Sequence, residues 1–188
     1  MKRHEIVTPL DDKLIESLHA GDSVSISGVI YAARDTAHKR IVKAIENGGQ
    51  LPFELQGQLV YYVGPTPAPP GLPIGSAGPT TSSRMDPYAP LLIEHGLKAM
   101  LGKGERSDEV RKACQIHKAV YMATLGGCGA LLGKCIKKAD LIAYPELGPE
   151  GVWRFEVENF PAIVINDVYG EDQYEKGIEE FHSRNSNY

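Results

Sequence analysis

The chain has 188 residues, 42% of them hydrophobic and 23% charged, which fits one medium domain with a sizeable core and excludes wholesale disorder. Twenty Lys and Arg against 24 Asp and Glu leave a formal net charge of −4, which argues against nucleic-acid binding as the main activity. No apolar run approaches the roughly 18 residues of a transmembrane helix, and acidic residues follow Lys2 and Arg3 where a secretory segment would be apolar. The expectation is a cytoplasmic protein that binds neither membrane nor nucleic acid. Cys114, Cys128 and Cys135 form an odd set without a C-x-x-C pair, and they read as packed or incidental thiols with no metal ligand among them.

Residues 6–9 read as a short first strand. The spacing of Leu10, Leu14, Ile15 and Leu18 predicts a helix that Gly21 ends. Val24, Ile26, Gly28 and Ile30 then alternate with small or polar residues, the period of a half-buried strand. Directly after it, Asp35 or Thr36 caps a helix running to Asn47-Gly48-Gly49, with Ile41, Val42 and Ile45 on its buried face. Arg34 therefore sits where strand passes into helix, and His38 lies one turn further on. Ligand sites collect at such carboxyl ends of strands, although position alone equally suits a solvated strand end and a surface helix residue.

Residues 59–63 form another strand. Six prolines and four glycines then occupy the sixteen positions 64–79, a density that no helix or central strand survives. This segment is read as an ordered loop leading to a helix that starts near Asp86-Pro87 and carries Tyr88, Leu91 and Leu92. Residues 99–101 are a short strand entering Gly102-Lys103-Gly104, which lacks the glycine spacing of a P-loop and by itself suits a plain turn. Ser107 caps a helix over 108–117, and 119–124 is a buried strand. Gly126-Gly127-Cys128-Gly129 opens a short helix through Leu131, Leu132 and Ile136. Strands follow at 141–144, 152–157 and 162–165, the last two separated at Phe160-Pro161. Residues 1–175 are assigned to one domain and 176–188 to a polar, frayed tail. Alternating strands and helices in the middle, with consecutive strands near the end, predict an α/β domain with a partly antiparallel sheet or two sheets.

One stretch concentrates chemistry: Gly78-Pro79-Thr80-Thr81-Ser82-Ser83-Arg84-Met85-Asp86. Hydroxyls in a row, close-approaching backbone N–H groups and a guanidinium suit a carboxylate or a phosphate. A Ser/Thr-rich surface loop that merely caps a helix fits the same residues.

This stretch, together with Arg34-Asp35-Thr36-Ala37-His38, Gly102-Lys103-Gly104 and Tyr144-Pro145-Glu146-Leu147-Gly148 followed by Trp153, resembles the β subunit, or C-terminal domain, of class I iron–sulfur fumarases and the related L(+)-tartrate dehydratases. The motifs occur in the family's order over about residues 5–175. The resemblance implies a swivelling β/β/α three-layer domain with mixed parallel and antiparallel strands. It implies a hydro-lyase that hydrates fumarate to malate reversibly and works only with a partner α subunit. That partner carries a [4Fe–4S] cluster which this chain does not ligate, and whose open iron takes the hydroxyl as a Lewis acid. Dimerised αβ units make up the implied hetero-oligomer. Arg34 and Arg84 would grip substrate carboxylates, Lys103 would add charge at the carboxylate that becomes electron-rich, and Thr81, Ser82 and Ser83 would help bind and orient the substrate. Thr80 and His38 are both candidates for the proton transfer, and the resemblance does not choose between them. A tartrate dehydratase subunit is the alternative within the family. A non-catalytic anion or nucleotide module is the alternative outside it, although neither a G-x-G-x-x-G turn nor a Walker lysine is present.

Overall fold

The computed structural model describes residues 2–185. Five strands, β1 (Arg3–Val7), β2 (Ser23–Ala32), β3 (Leu59–Tyr61), β4 (Ala99–Gly102) and β5 (Val120–Ala123), pair side by side in parallel. β6 (Ile136–Ala143) and β7 (Val152–Asn166) complete the sheet, and β7 runs antiparallel to β2, β5 and β6. The β2–β7 pairing closes β2, β3, β4, β5 and β7 into a ring, and β1 and β6 branch from its two long strands. The helices are α1 (Asp12–Glu16), α2 (Asp35–Glu46), α3 (Ala89–Glu94), α4 (Asp108–His117), α5 (Gly129–Cys135) and α6 (Gln173–Asn185). Among the described residues no helix is long and apolar enough to cross a membrane.

Side chains alternate across a strand, so each strand of the ring feeds two cores. Leu59, Tyr61, Leu101, Val120 and Met122 point inward and meet Ile26, Ile30, Phe155 and Phe160. Val60, Tyr62, Met100 and Tyr121 point outward and are covered by Ile41 of α2, Leu92 and Ile93 of α3, and Val110 and Cys114 of α4. Two sheet layers and one helix layer result, the mixed three-layer α/β arrangement expected. Each large side chain so buried contributes roughly 1.5–3 kcal/mol, which is why the ring and its helices form together.

Four local expectations are corrected. Residues 152–166 are one strand: Pro161 lies opposite Ser25, beside the register shift between Ile26 and Gly28 that relaxes the ladder there. β6 begins at Ile136, so that residue belongs to a strand and not to the helix before it. The helix expected from Asp86 is a 3-10 turn over Ser82–Met85, and α3 starts only at Ala89, because the Asp86 carboxylate is engaged elsewhere. The frayed tail is instead α6: Asp172 accepts from the N–H groups of Tyr174 (2.7 Å) and Glu175 (3.4 Å), from Asn166 Nδ2 (2.8 Å) and from Arg111 Nη1 (3.3 Å). Of that tail, residues 186–188 lie outside the described residues.

Candidate functional site at the carboxyl ends of the parallel strands

Three strand ends deliver the chemistry. β2 stops at Ala32, and Arg34 follows as the N-cap of α2 in extended conformation. Its guanidinium lies against Gly64, just beyond β3, where a Cβ would stand only 3.1 Å from Arg34 Cδ and 3.2 Å from Nη1. A side chain at position 64 would press on the arginine where it lies. Arg34 Nη1 pairs with Glu150 Oε1 at 3.2 Å, and Thr36 Oγ1 donates to the other oxygen of Glu150 at 2.9 Å.

The loop after β3 is rich in proline yet stitched to the fold. Thr66 N–H donates to Ser76 O and the Thr66 hydroxyl accepts Ser76 N–H, Ile74 and Ala77 are buried, and Ala77 N–H donates to Gly129 O. Thr80 N–H then donates to Tyr62 O at 2.7 Å, and Thr81 bridges Lys103 in parallel fashion, so the hydroxyl run lies along the end of β4. Thr80 is half-buried, whereas Thr81, Ser83, Arg84 and Lys103 are exposed. Lys103 extends beside Gly126, from the loop after β5, whose Cβ position lies 3.8 Å from the lysine Cδ.

Ser82 departs from its neighbours. It is fully buried, accepts from Lys103 N–H at 3.0 Å, and lies 2.9 Å from the Tyr121 hydroxyl. Tyr121 gives its own proton to Gly104 O at 2.8 Å, so the serine is the donor between the two hydroxyls. A Cβ on Gly102 would collide with the serine hydroxyl. Ser82 therefore fastens the two loops together and, contrary to expectation, does not face a ligand.

The two arginines converge. Arg84 Nη2 lies 2.6 Å from Asp35 Oδ2, and Arg34 Nε lies 3.6 Å from Asp35 Oδ1. One carboxylate thus sits between both guanidinium groups, which come from different strand ends.

His38 is also not where a ligand could touch it. It is fully buried in the helix layer, and burial pushes its pKa down to about 4, with Arg106 adding to the effect. Nδ1–H donates to Arg34 O at 2.9 Å, and the same oxygen accepts His38 N–H at 2.8 Å. The other ring nitrogen, Nε2, has no partner among the described residues, and the imidazole lies against the rings of Tyr62 and Tyr88, at centroid distances of 5.3 and 6.4 Å. Neutral His38 braces the backbone of Arg34 from behind.

Arg106 escaped the sequence reading. Its side chain is wholly buried, with Nε 2.7 Å from Asp86 Oδ1 and the guanidinium over the rings of Tyr121 (4.9 Å) and Tyr62 (5.3 Å). The other oxygen of Asp86 accepts Ser107 N–H at 2.7 Å. The signal was present in the alternation that sends Tyr62 and Tyr121 to one face of the sheet, but Asp86 looked like a helix cap.

Hydroxyls, a lysine and two converging guanidinium groups thus stand at the carboxyl ends of the parallel strands of an α/β domain, a donor set whose chemistry suits an anion. Residues 2–177 match the model of the fumarase C-terminus family, and the chain belongs to that family. It is 45% identical over 155 residues to the mitochondrial fumarate hydratase 1 of Leishmania major, and 43% identical over 155 residues to the anaerobic class I fumarate hydratase of Escherichia coli K12. In both cases the match covers 81% of this chain and 28% of the relative, so the chain spans well under a third of their length. A putative L(+)-tartrate dehydratase subunit beta of Methanocaldococcus jannaschii is 38% identical over 173 residues, 89% of either chain.

The thiols of this chain do not fit an iron–sulfur cluster. Cys114 is fully buried with its pKa pushed up to about 12 by burial, and among the described residues no group of three His, Cys, Asp or Glu is placed to hold a metal ion.

Proposed function

We propose that this chain is the β subunit of an iron–sulfur hydro-lyase that hydrates fumarate to malate reversibly, contributing the cationic and hydroxyl half of the site. The observation that carries the reading is the convergence of Arg34 and Arg84 on a single carboxylate, with Lys103 bridged to Thr81 of the same hydroxyl run. Guanidinium groups suit the two ends of a dicarboxylate, each offering a planar pair of donors. Loss of a proton from the carbon next to a carboxylate pushes charge onto that carboxylate, and Lys103 supplies the matching positive charge. Thr81 and Ser83 orient the same group through their hydroxyls. Thr80 is the residue assigned to the proton, since His38 is sealed in the helix layer. A [4Fe–4S] cluster belongs to a partner α subunit, and paired αβ units make up the assembly. A cytosolic setting accords with the three free thiols.

The Methanocaldococcus relative, matched over 89% of both chains, supports the β-subunit reading and keeps L(+)-tartrate as the second candidate substrate. Anaerobic mixing with the cluster-bearing partner, followed by absorbance of fumarate, tests the reading. Malate should be dehydrated, tartrate turned over far more slowly, and Arg84→Ala should lower kcat/KM about 100-fold, the scale of one lost charge-stabilising donor. Full activity in Arg84→Ala would refute the site, and faster turnover of tartrate would move the substrate assignment.

A further inference from the structure

The Asp35 carboxylate lies where a ligand carboxylate would be expected. It reaches Arg84 Nη2 at 2.6 Å and Arg34 Nε at 3.6 Å, and its Oδ1 is buried without a hydrogen-bond donor. Glu150 takes another edge of Arg34. Two guanidinium groups and two carboxylates therefore cancel, and Lys103, which has no acidic partner among the described residues, carries the surplus positive charge. Among the described residues Arg84 Nε and Nη1 and Arg34 Nη2 have no hydrogen-bond acceptor, and the Asp35 carboxylate stands between the two guanidinium groups, one oxygen toward each.

We infer that Asp35 is a resident counter-ion that holds Arg34 and Arg84 apart at a fixed spacing and so selects extended dicarboxylates over compact dianions such as inorganic phosphate. A compact dianion needs both guanidinium groups to close on one centre, and Asp35 fills that centre. A dicarboxylate needs two separate anchoring points, which the held-apart pair provides. Glu150 reinforces the arrangement from the Arg34 side. This assignment rests on the dicarboxylate reading above for its ligand, but not for its test.

Calorimetric titration of the full chain with inorganic phosphate at low ionic strength separates the two. Asp35→Asn removes one negative charge a few ångströms from two cations, and phosphate should then bind about tenfold more tightly than to the wild type. The gain should vanish in the double variant Asp35→Asn with Arg84→Ala, and Glu150→Gln, which leaves Arg84 covered, should gain less. A purely structural role for Asp35 predicts no gain at all. Unchanged or weaker phosphate binding in Asp35→Asn with a wild-type circular dichroism spectrum overturns the assignment. If Asp35→Asn does not fold, Asp35→Ser takes its place with the same two outcomes, and Asp35→Glu, which keeps the charge, should show no gain in phosphate binding. Absence of malate binding to the wild type, alongside a phosphate gain in the variant, would count against the dicarboxylate reading alone.

Discussion

Arg84 and Arg106 flank the same pair of loops and have opposite surroundings. Arg106 is wholly enclosed, with Asp86, the Met100 sulfur, the Tyr62 hydroxyl and two aromatic rings around it. Arg84 is about half exposed and shares one carboxylate with Arg34. The difference teaches a division of labour between identical side chains. A cation sealed from solvent among its partners can only position its neighbours, whereas one left half exposed can bind a visitor.

The largest effect that could break this contrast is on stability. Asp86→Ala leaves the Arg106 charge buried without its counter-ion, and should cost about 3–5 kcal/mol in denaturant unfolding. A cost below about 1 kcal/mol would mean that the aromatic rings suffice and that the ion pair is incidental.

His38 gives the next largest effect, through pH. Its folded pKa of about 4 lies below the unfolded value near 6.5, so between these the unfolded chain binds the extra proton. Stability is full above about pH 6.5 and falls as the pH drops toward 4, by about 3 kcal/mol from this residue. Asp22 acts in the same direction at the acid end. Burial opposes its ionisation, but the N–H groups of Lys2 and His19 and the ring of His4 outweigh that and hold its carboxyl below the usual range. Comparing His38→Gln with the wild type across this interval isolates the histidine, and parallel pH curves would count against a buried neutral ring.

The smallest effect sharpens the contrast from the other side. Arg84→Ala should change unfolding stability by less than about 1 kcal/mol, since a half-exposed ion pair contributes little. A large loss would place Arg84 in the framework alongside Arg106.

Much of the parallel half was legible in the sequence. The alternation over Val24 to Ile30 and the Ser107 cap gave β2 and α4 directly, because both signals are local. The antiparallel half was harder. Pro161 reads as a break until β2 is beside it, and α6 looks too polar to hold until Arg111, far back in the chain, is seen anchoring Asp172. In the site, Arg34, Arg84, Lys103 and the threonines stand out as motifs, and the fold brings Arg34 and Arg84 to one carboxylate and Thr81 alongside Lys103. Ser82 was misread because four adjacent hydroxyls look alike in one dimension, while a pairing with Lys103 turns alternate ones to opposite sides. Arg106 and His38 depended on burial, which a single isolated charge or ring in a sequence does not announce.

The phenolic oxygen of Tyr121 joins Ser82 to Gly104 and thereby sets the separation between the threonine loop and the lysine loop. Those two segments must travel as one body. Arg34 rides on the start of a different helix, and the Asp35–Arg84 pair is what couples that helix to the fused loops.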